Sequence, residues 1–220
     1  MFKIGHRGAK GYVAENTLAS FQKAIDLGCD GIELDVHCCK SGEIVVIHDY
    51  TIDRTTFGTG FVKNLTLTEL KKYEIPTLEE VLNLIDNHIL VDIELKSNDC
   101  VKKVMKIINH YIEFKNWSPI NFLISSFDWN NLSEITLYNY YNINIAVITE
   151  KSIEKTLEIA KKIKVFAIIP NYKLLNQENV TLLKENGFKI YTWTVNEIAD
   201  IEKMKKLNVD GIISDFLDRI

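Results

Sequence analysis

Gly31-Ile-Glu-Leu-Asp-Val-His-Cys-Cys-Lys-Ser-Gly-Glu-Ile-Val-Val-Ile-His-Asp49 is the stretch on which the fold turns. Gly31 to Val36 is an apolar run with acids at alternate positions, so as a strand it points Glu33 and Asp35 to one face. Glu43 to Ile47 is strand-like too, but it follows too soon for a parallel crossover, which needs about a dozen residues. It is expected to return as an antiparallel hairpin. With Ser41 and Gly42 as a two-residue turn, Lys40 faces Glu43, and Asp35 falls opposite His48. An imidazole is thereby brought beside the acidic pair.

Outward from this stretch, short strand-type runs alternate with amphipathic segments along the whole chain. Besides Gly31 to Val36, the runs are Phe2 to Gly5, Ile89 to Leu95, Asn121 to Ser126, Ile143 to Ile148, Val165 to Ile169, Phe188 to Thr194 and Gly211 to Ser214. Between them, spacings such as Leu18, Phe21, Ala24, Ile25 and Val101, Val104, Ile108 read as helices. Asp128, Ser152 and Asn196 sit at expected N-caps, and Gly28 and Gly187 at expected C-terminal stops. Repeated β-α units imply parallel strands covered on both faces, and eight imply a closed (β/α)8 TIM-type barrel. Residues 1–220 are read as one domain, with a hairpin and short loop insertion at about 37–75 after the second strand. Asp49 to Ile75 shows little periodicity and is expected to be a loop over the barrel mouth. So few residues follow Ser214 that the last helix is expected to be very short or absent.

Composition narrows the class. The 220 residues carry 26 Lys and Arg against 30 Asp and Glu, a net charge of −4, which argues against a nucleic-acid partner. No run of about 18 apolar residues is present to span a bilayer, and no apolar leader precedes His6, so a cytoplasmic protein is expected. Cys29, Cys38, Cys39 and Cys100 fit no metal-ligand spacing and are read as reduced thiols. Nothing in the sequence signals an oligomeric state.

Barrel enzymes place their chemistry at the C-terminal ends of strands. Those ends carry His6 and Arg7, Glu33 and Asp35, Glu94 and Lys96, and Trp193, and the hairpin returns His48 and Asp49. Glu33, Asp35 and Glu94 come from neighbouring strands and converge inside the mouth. Three buried like charges require cations, supplied by Arg7 and Lys96 alone or, as we expect, by one divalent ion as well. All-oxygen ligation favours Ca²⁺ or Mg²⁺ over zinc. His6 and His48 flank the cluster as candidates for a general acid/base pair, while His37, His88 and His110 lack such company. Arg7 and Lys96 suit a phosphate ester. Asn16 is a candidate cap of the first helix, with Glu15 pointing either into the mouth or into a plain capping segment. Trp193 is a candidate wall of the substrate pocket.

In order and spacing, His6-Arg7-Gly8, Glu15-Asn16-Thr17, Glu33-Leu34-Asp35-Val36, His48-Asp49, Asp53-Arg54-Thr55-Thr56, Pro76-Thr77-Leu78-Glu79-Glu80, Glu94-Leu95-Lys96, Ser126-Phe127 and Trp193-Thr194-Val195-Asn196 resemble the glycerophosphodiester phosphodiesterase family. The resemblance implies a TIM-barrel enzyme that hydrolyses glycerophosphodiesters to glycerol 3-phosphate and an alcohol. It implies Glu33, Asp35 and Glu94 as metal ligands, His6 and His48 as acid and base, and a cyclic phosphate on the path. Ala14 departs from the family's usual Pro, and the closing segment Ser214-Asp215-Phe216-Leu217-Asp218 lacks its usual Pro, leaving Asp215 without an assigned role. Two alternatives remain: lysophospholipase D-type cleavage, for which Phe57, Phe61 and Trp193 are candidates to line an apolar channel, and a non-catalytic phosphate-ligand binding barrel.

Overall fold

The computed structural model describes all 220 residues. Eight parallel strands form a closed barrel: β1 (Phe2–His6), β2 (Gly31–Cys38), β4 (Leu90–Leu95), β5 (Phe122–Ser126), β6 (Asn144–Thr149), β7 (Ala167–Pro170), β8 (Lys189–Thr192) and β9 (Gly211–Ser214). β1 pairs with both β9 and β2, which closes the ring. β3 (Ile44–Val46) lies antiparallel on the end of β2. Helices α1 (Leu18–Asp26), α3 (Leu78–Ile85), α4 (Val101–Phe114), α5 (Trp129–Ile135), α6 (Ile153–Ile163), α7 (Gln177–Glu185) and α8 (Ile198–Lys206) alternate with the strands, and only a short turn, Leu217–Arg219, follows β9. The eight runs read from the sequence are the eight barrel strands, and the last helix is indeed reduced to one turn.

Alternation along the strands creates two cores. Ile32, Leu34, Val36, Val91, Ile93 and Leu95 face outward into a cluster of 47 buried residues shared with the helices. Ile4, Leu123, Ala146, Ile148, Ala167, Ile169, Tyr191 and Ile213 form a separate cluster inside the barrel. At this inner position β2 and β4 carry Glu33, Asp35, Asp92 and Glu94 in place of apolar residues, all buried.

Several local expectations are corrected. The hairpin register is one residue off: Val36, His37 and Cys38 pair with Val46, Val45 and Ile44. Ile47 N–H donates to the Asp35 carbonyl at 3.0 Å. Lys40, Ser41 and Gly42 make a three-residue connection between Cys39 and Glu43, with Gly42 at φ +104°, a conformation that glycine adopts without strain. Asp35 therefore faces Ile47, and His48 lies one residue beyond. Asp128 and Ser152 do cap α5 and α6, but α8 is entered from Glu197, leaving the Asn196 side chain free for other partners. Asn16 is likewise not a cap; the Thr17 hydroxyl accepts from Ser20 N–H at 3.1 Å and starts α1. Gly28 and Gly187 take φ +70° and +83° just past α1 and α7, as left-handed stops.

The segment from Asp49 to Ile75 is not a loose loop. It contains a turn at Val62–Asn64, the short helix α2 (Leu67–Leu70) with a Thr66/Glu69 capping box, and a core of its own. Cys39, Val45, Ile47, Ile52, Val62, Leu70 and Ile75 are buried together there. Periodicity failed to reveal it because the apolar residues are spread over turns of different pitch. Replacing the fully buried Leu70 by Ala should cost about 2–5 kcal/mol in denaturant unfolding. An unchanged midpoint would mean that this segment does not fold with the barrel.

Candidate active site at the barrel mouth

β2 and β4 pair in register, with Glu33 beside Asp92 and Asp35 beside Glu94, so four acids share the inner face of two adjacent strands. Three of them, Glu33, Asp35 and Glu94, bring ligand oxygens within 4.8 Å of one another. Two cations reach the group. Arg7 Nε stands 3.2 Å from Asp35 Oδ2, and Lys96 Nζ stands 2.7 Å from Glu94 Oε1 and 3.4 Å from Asp35 Oδ1. Asn16 Nδ2 donates to Asp35 Oδ2 at 2.9 Å, while Asp35 Oδ1 has no hydrogen-bond donor despite complete burial.

Electrostatics separate the acids. Burial works to raise the Asp35 carboxyl, but Lys96 and Arg7 outweigh it and hold Asp35 below its ordinary value. Burial and the charges of Asp35 and Glu94 push Glu33 well above the usual carboxylate range. Burial, with Asp35 next, raises Glu94 to about 7. Asp92 lies deeper, and burial raises it to about 7 although the Ser125 hydroxyl donates to it at 2.7 Å. With Asp35 held down and Glu33 and Glu94 held up, the group keeps protons that a bound cation would displace. A hard divalent ion fits this donor set of oxygens and the undonated Asp35 Oδ1.

The turn after β1 aims the first cation. Arg7 adopts φ 51° and its N–H donates to Glu33 Oε2 at 2.9 Å. Gly8, at φ +86°, packs so closely on Ser20 that a Cβ would stand 2.4 Å from its Oγ. Arg7 Nη1 donates to Glu15 at 2.8 Å, and Arg54 from the inserted segment binds the same carboxylate. Glu15 therefore lies behind Arg7 and does not point into the mouth; burial opposes ionisation, but the bonds from Arg54 and Arg7 lower it to about 2.

Both imidazoles are held through Nδ1. His6 Nδ1 is 2.6 Å from Asp215 Oδ1, and Asn196 Nδ2 donates to Asp215 Oδ2 at 2.8 Å. His48 Nδ1 is 2.6 Å from Asp49 Oδ1, whose carboxylate is also gripped by Arg54 and thereby lowered. This leaves each Nε2 as the free ring nitrogen. Burial lowers both histidines, against the pull of Asp215 on His6 and of Asp35 on His48. His37 is buried behind the second one, its Nε2 on the His48 carbonyl at 3.1 Å.

A cavity of about 240 Å³ joins these groups; its lining includes His6, Arg7, Glu33, His48, Glu94, Lys96 and Trp193. Trp193 Nε1 donates to the Ile169 carbonyl at 3.0 Å, and its ring meets Phe127 edge-on at 5.4 Å. Phe57 and Phe61 are exposed and do not line it; Phe57 packs on Tyr73 instead. Asp215, Asn196, Asp92, Phe127 and Glu150 are the residues that the sequence left without a site role. Asp92 and Glu150 had a signal in strand alternation, two residues before Glu94 and two after Ile148. Asn196 and Asp215 lay within segments that resemble the family's, but nothing there tied them to each other across 19 residues; the fold alone joins them.

The family model described as the Glycerophosphoryl diester phosphodiesterase family matches residues 6–219. A glycerophosphodiester phosphodiesterase of Caldanaerobacter subterraneus subsp. tengcongensis is 39% identical, over 96% of this chain and 93% of that protein. Among solved structures, a glycerophosphodiester phosphodiesterase of Thermotoga maritima superposes with a TM-score of 0.86 at 28% identity, over 99% of this chain and 96% of that one. A phosphodiesterase of Oleispira antarctica, solved with the product sn-glycerol-3-phosphate, gives 0.87 at 24% identity, over 99% and 94%. That second likeness concerns the fold.

Asn16→Gly removes the hydrogen bonds to Asp35 while tolerating the φ of 56° at this position. It should lower stability by about 1–3 kcal/mol in calorimetry, the cost of a buried acceptor left undonated. No loss of stability would show that water replaces the amide.

Proposed function

The chain belongs to the glycerophosphoryl diester phosphodiesterase family and is a phosphodiesterase; from that premise we propose that it hydrolyses glycerophosphodiesters with one divalent cation and the imidazoles of His6 and His48. The observation that carries this reading is the convergence of three carboxylates within 4.8 Å, flanked by two histidines that each rest Nδ1 on an aspartate. Glu33, Asp35 and Glu94 would hold the ion, Ca²⁺ or Mg²⁺, which supplies Lewis-acid withdrawal of charge from the phosphoryl oxygens.

The chain's own groups then divide the work. Arg7 and Lys96 bind phosphoryl oxygens and stabilise the charge that develops on them. One neutral Nε2 takes the proton of the glycerol hydroxyl next to the phosphoester as that oxygen bonds to phosphorus. The other imidazole, protonated, gives its proton to the departing alcohol oxygen as the phosphorus–oxygen bond breaks. The cyclic phosphate so formed is opened by water with the two histidines exchanging roles, giving glycerol 3-phosphate. Asp215 and Asp49 keep each ring in the tautomer that presents Nε2. Trp193 walls the substrate; Glu15 acts on it only through Arg7. We place the enzyme in the cytoplasm, supported by four buried, unpaired cysteines; no helix is long and apolar enough to cross a membrane.

His6→Ala and His48→Ala should each lower kcat for glycerol 3-phosphate release by about 100-fold or more while circular dichroism stays native. Wild-type rates in either variant would overturn the acid/base assignment. EDTA should abolish release, and Ca²⁺ or Mg²⁺ should restore it.

Metal affinity should also follow pH. Glu33 and Glu94 must both lose protons held above the ordinary carboxylate range, that of Glu94 up to about 7, so the apparent Kd should weaken about tenfold or more per unit as pH falls below 7. Ordinary carboxylates would keep their affinity down to about pH 4.5. Titration calorimetry at pH 8, 7 and 6 reads the difference, and a flat Kd across that range would remove the buried carboxyl from the metal site.

A further inference from the structure

Four cysteines are buried in the fold, and their surroundings differ. Burial pushes the Cys29 and Cys100 thiols up to about 11 and about 12. Cys39 Sγ donates to the Glu43 carboxylate at 3.2 Å. Cys38 alone has a cation at its sulfur: Lys103 Nζ stands 2.8 Å from Sγ. Cys38 ends β2 and Lys103 lies in the first turn of α4, 65 residues on, so the contact joins a barrel strand to a helix of the outer ring. The Lys103 side chain is exposed, yet its ammonium takes no carboxylate partner and has that sulfur as its one hydrogen-bond acceptor. The hairpin turn also passes close, since a Cβ on Gly42 would stand 3.4 Å from Nζ.

Even an N–H···O bond rests at about 2.9–3.0 Å, and sulfur is larger than oxygen, so nitrogen and sulfur at 2.8 Å stand closer than hydrogen bonding requires. One oxygen atom bonded to both would span such a gap. Reactive cysteines sit beside a basic side chain with a path to solvent. Cys38 has both, because a cavity of about 310 Å³, lined also by His37, Tyr50, Phe61, Lys63 and Asp99, brings small solutes to it.

We propose that Cys38 and Lys103 form an oxidisable clamp, in which dioxygen leaves one oxygen atom between Sγ and Nζ as a covalent S–O–N bridge. The S–H bond and one N–H bond break, S–O and O–N bonds form, and the other oxygen departs as water with the two hydrogens. Sulfur and nitrogen each give up two electrons, which together reduce both atoms of dioxygen. A thiol reductant reverses the bridge, itself ending as disulfide with release of water. The bridge closes a loop of 65 residues and so removes freedom from the unfolded chain. It also pins the strand end from which His37 reaches the His48 carbonyl.

The test holds the full chain in air-saturated buffer or under argon and maps its peptides by mass spectrometry without reduction. Air should give a cross-linked pair of peptides containing Cys38 and Lys103, heavier than the two free peptides by one oxygen less two hydrogens and carrying the label when isotopically labelled dioxygen is used. The pair should be absent under argon, after dithiothreitol, in Cys38→Ser and in Lys103→Arg. Oxidation should also raise the Tm of the wild type by about 5 °C and leave that of Lys103→Arg, which keeps the charge, unchanged. A free Cys38 thiol after exposure to air, sulfinic acid confined to Cys38, a disulfide between Cys38 and Cys100, or an equal Tm shift in Lys103→Arg would each overturn the proposal.

Discussion

Buried carboxylates at the barrel mouth dominate this molecule. Alternation along β2 and β4 puts four of them on the inner face of two hydrogen-bonded strands, where apolar side chains fill the rest of the barrel. Ionised together and unpaired, they would oppose folding. The turn after β1, the left-handed Arg7, the placement of Lys96 and the Asn16 amide on Asp35 are all answers to that one problem. The answer is partial, because Glu33 and Glu94 still hold their protons more tightly than ordinary carboxyls do.

The two imidazoles are built from different parts of the chain. His6 ends a barrel strand and rests on Asp215, which comes from the last strand end and is steadied by Asn196. His48 follows the hairpin and rests on its sequence neighbour Asp49, which Arg54 neutralises. The first pairing depends on barrel closure, the second on the inserted segment. The site thus draws its two histidines from different parts of the fold, and their common geometry exists only when both have formed.

Much of this was legible in residue order. Alternation at Glu33, Asp35, Glu94 and Lys96 placed their side chains, and the short spacing to Glu43 predicted the hairpin. The exact register was not legible, because Lys40 to Gly42 closes as three residues and Gly42 alone does not say so. The inserted core was missed since its seven buried residues follow neither a helical nor a strand period. Asn196 looked like a helix cap because its type and position suit one; only the return of the last strand gives it Asp215 to hold. Asn16 likewise looked like a cap, but Thr17 takes that place and the Asn16 amide holds Asp35, while Glu15 is turned from the mouth by Arg7 and by Arg54, 39 residues on.

Arg54 joins two segments that have no other reason to change together. From His48 the contacts run through Asp49, Arg54, Glu15 and Arg7 to Asp35, with charge alternating along the chain of partners. Losing one member takes an ion pair from each of its neighbours, although Glu15 keeps Lys10 and Asp35 keeps Lys96 as further partners. The inserted segment can drift in length and sequence elsewhere, but at Arg54 its history is tied to that of the first strand's turn. Remodelling the roof of the site at Arg54 therefore also changes the partners of Glu15 and Asp49.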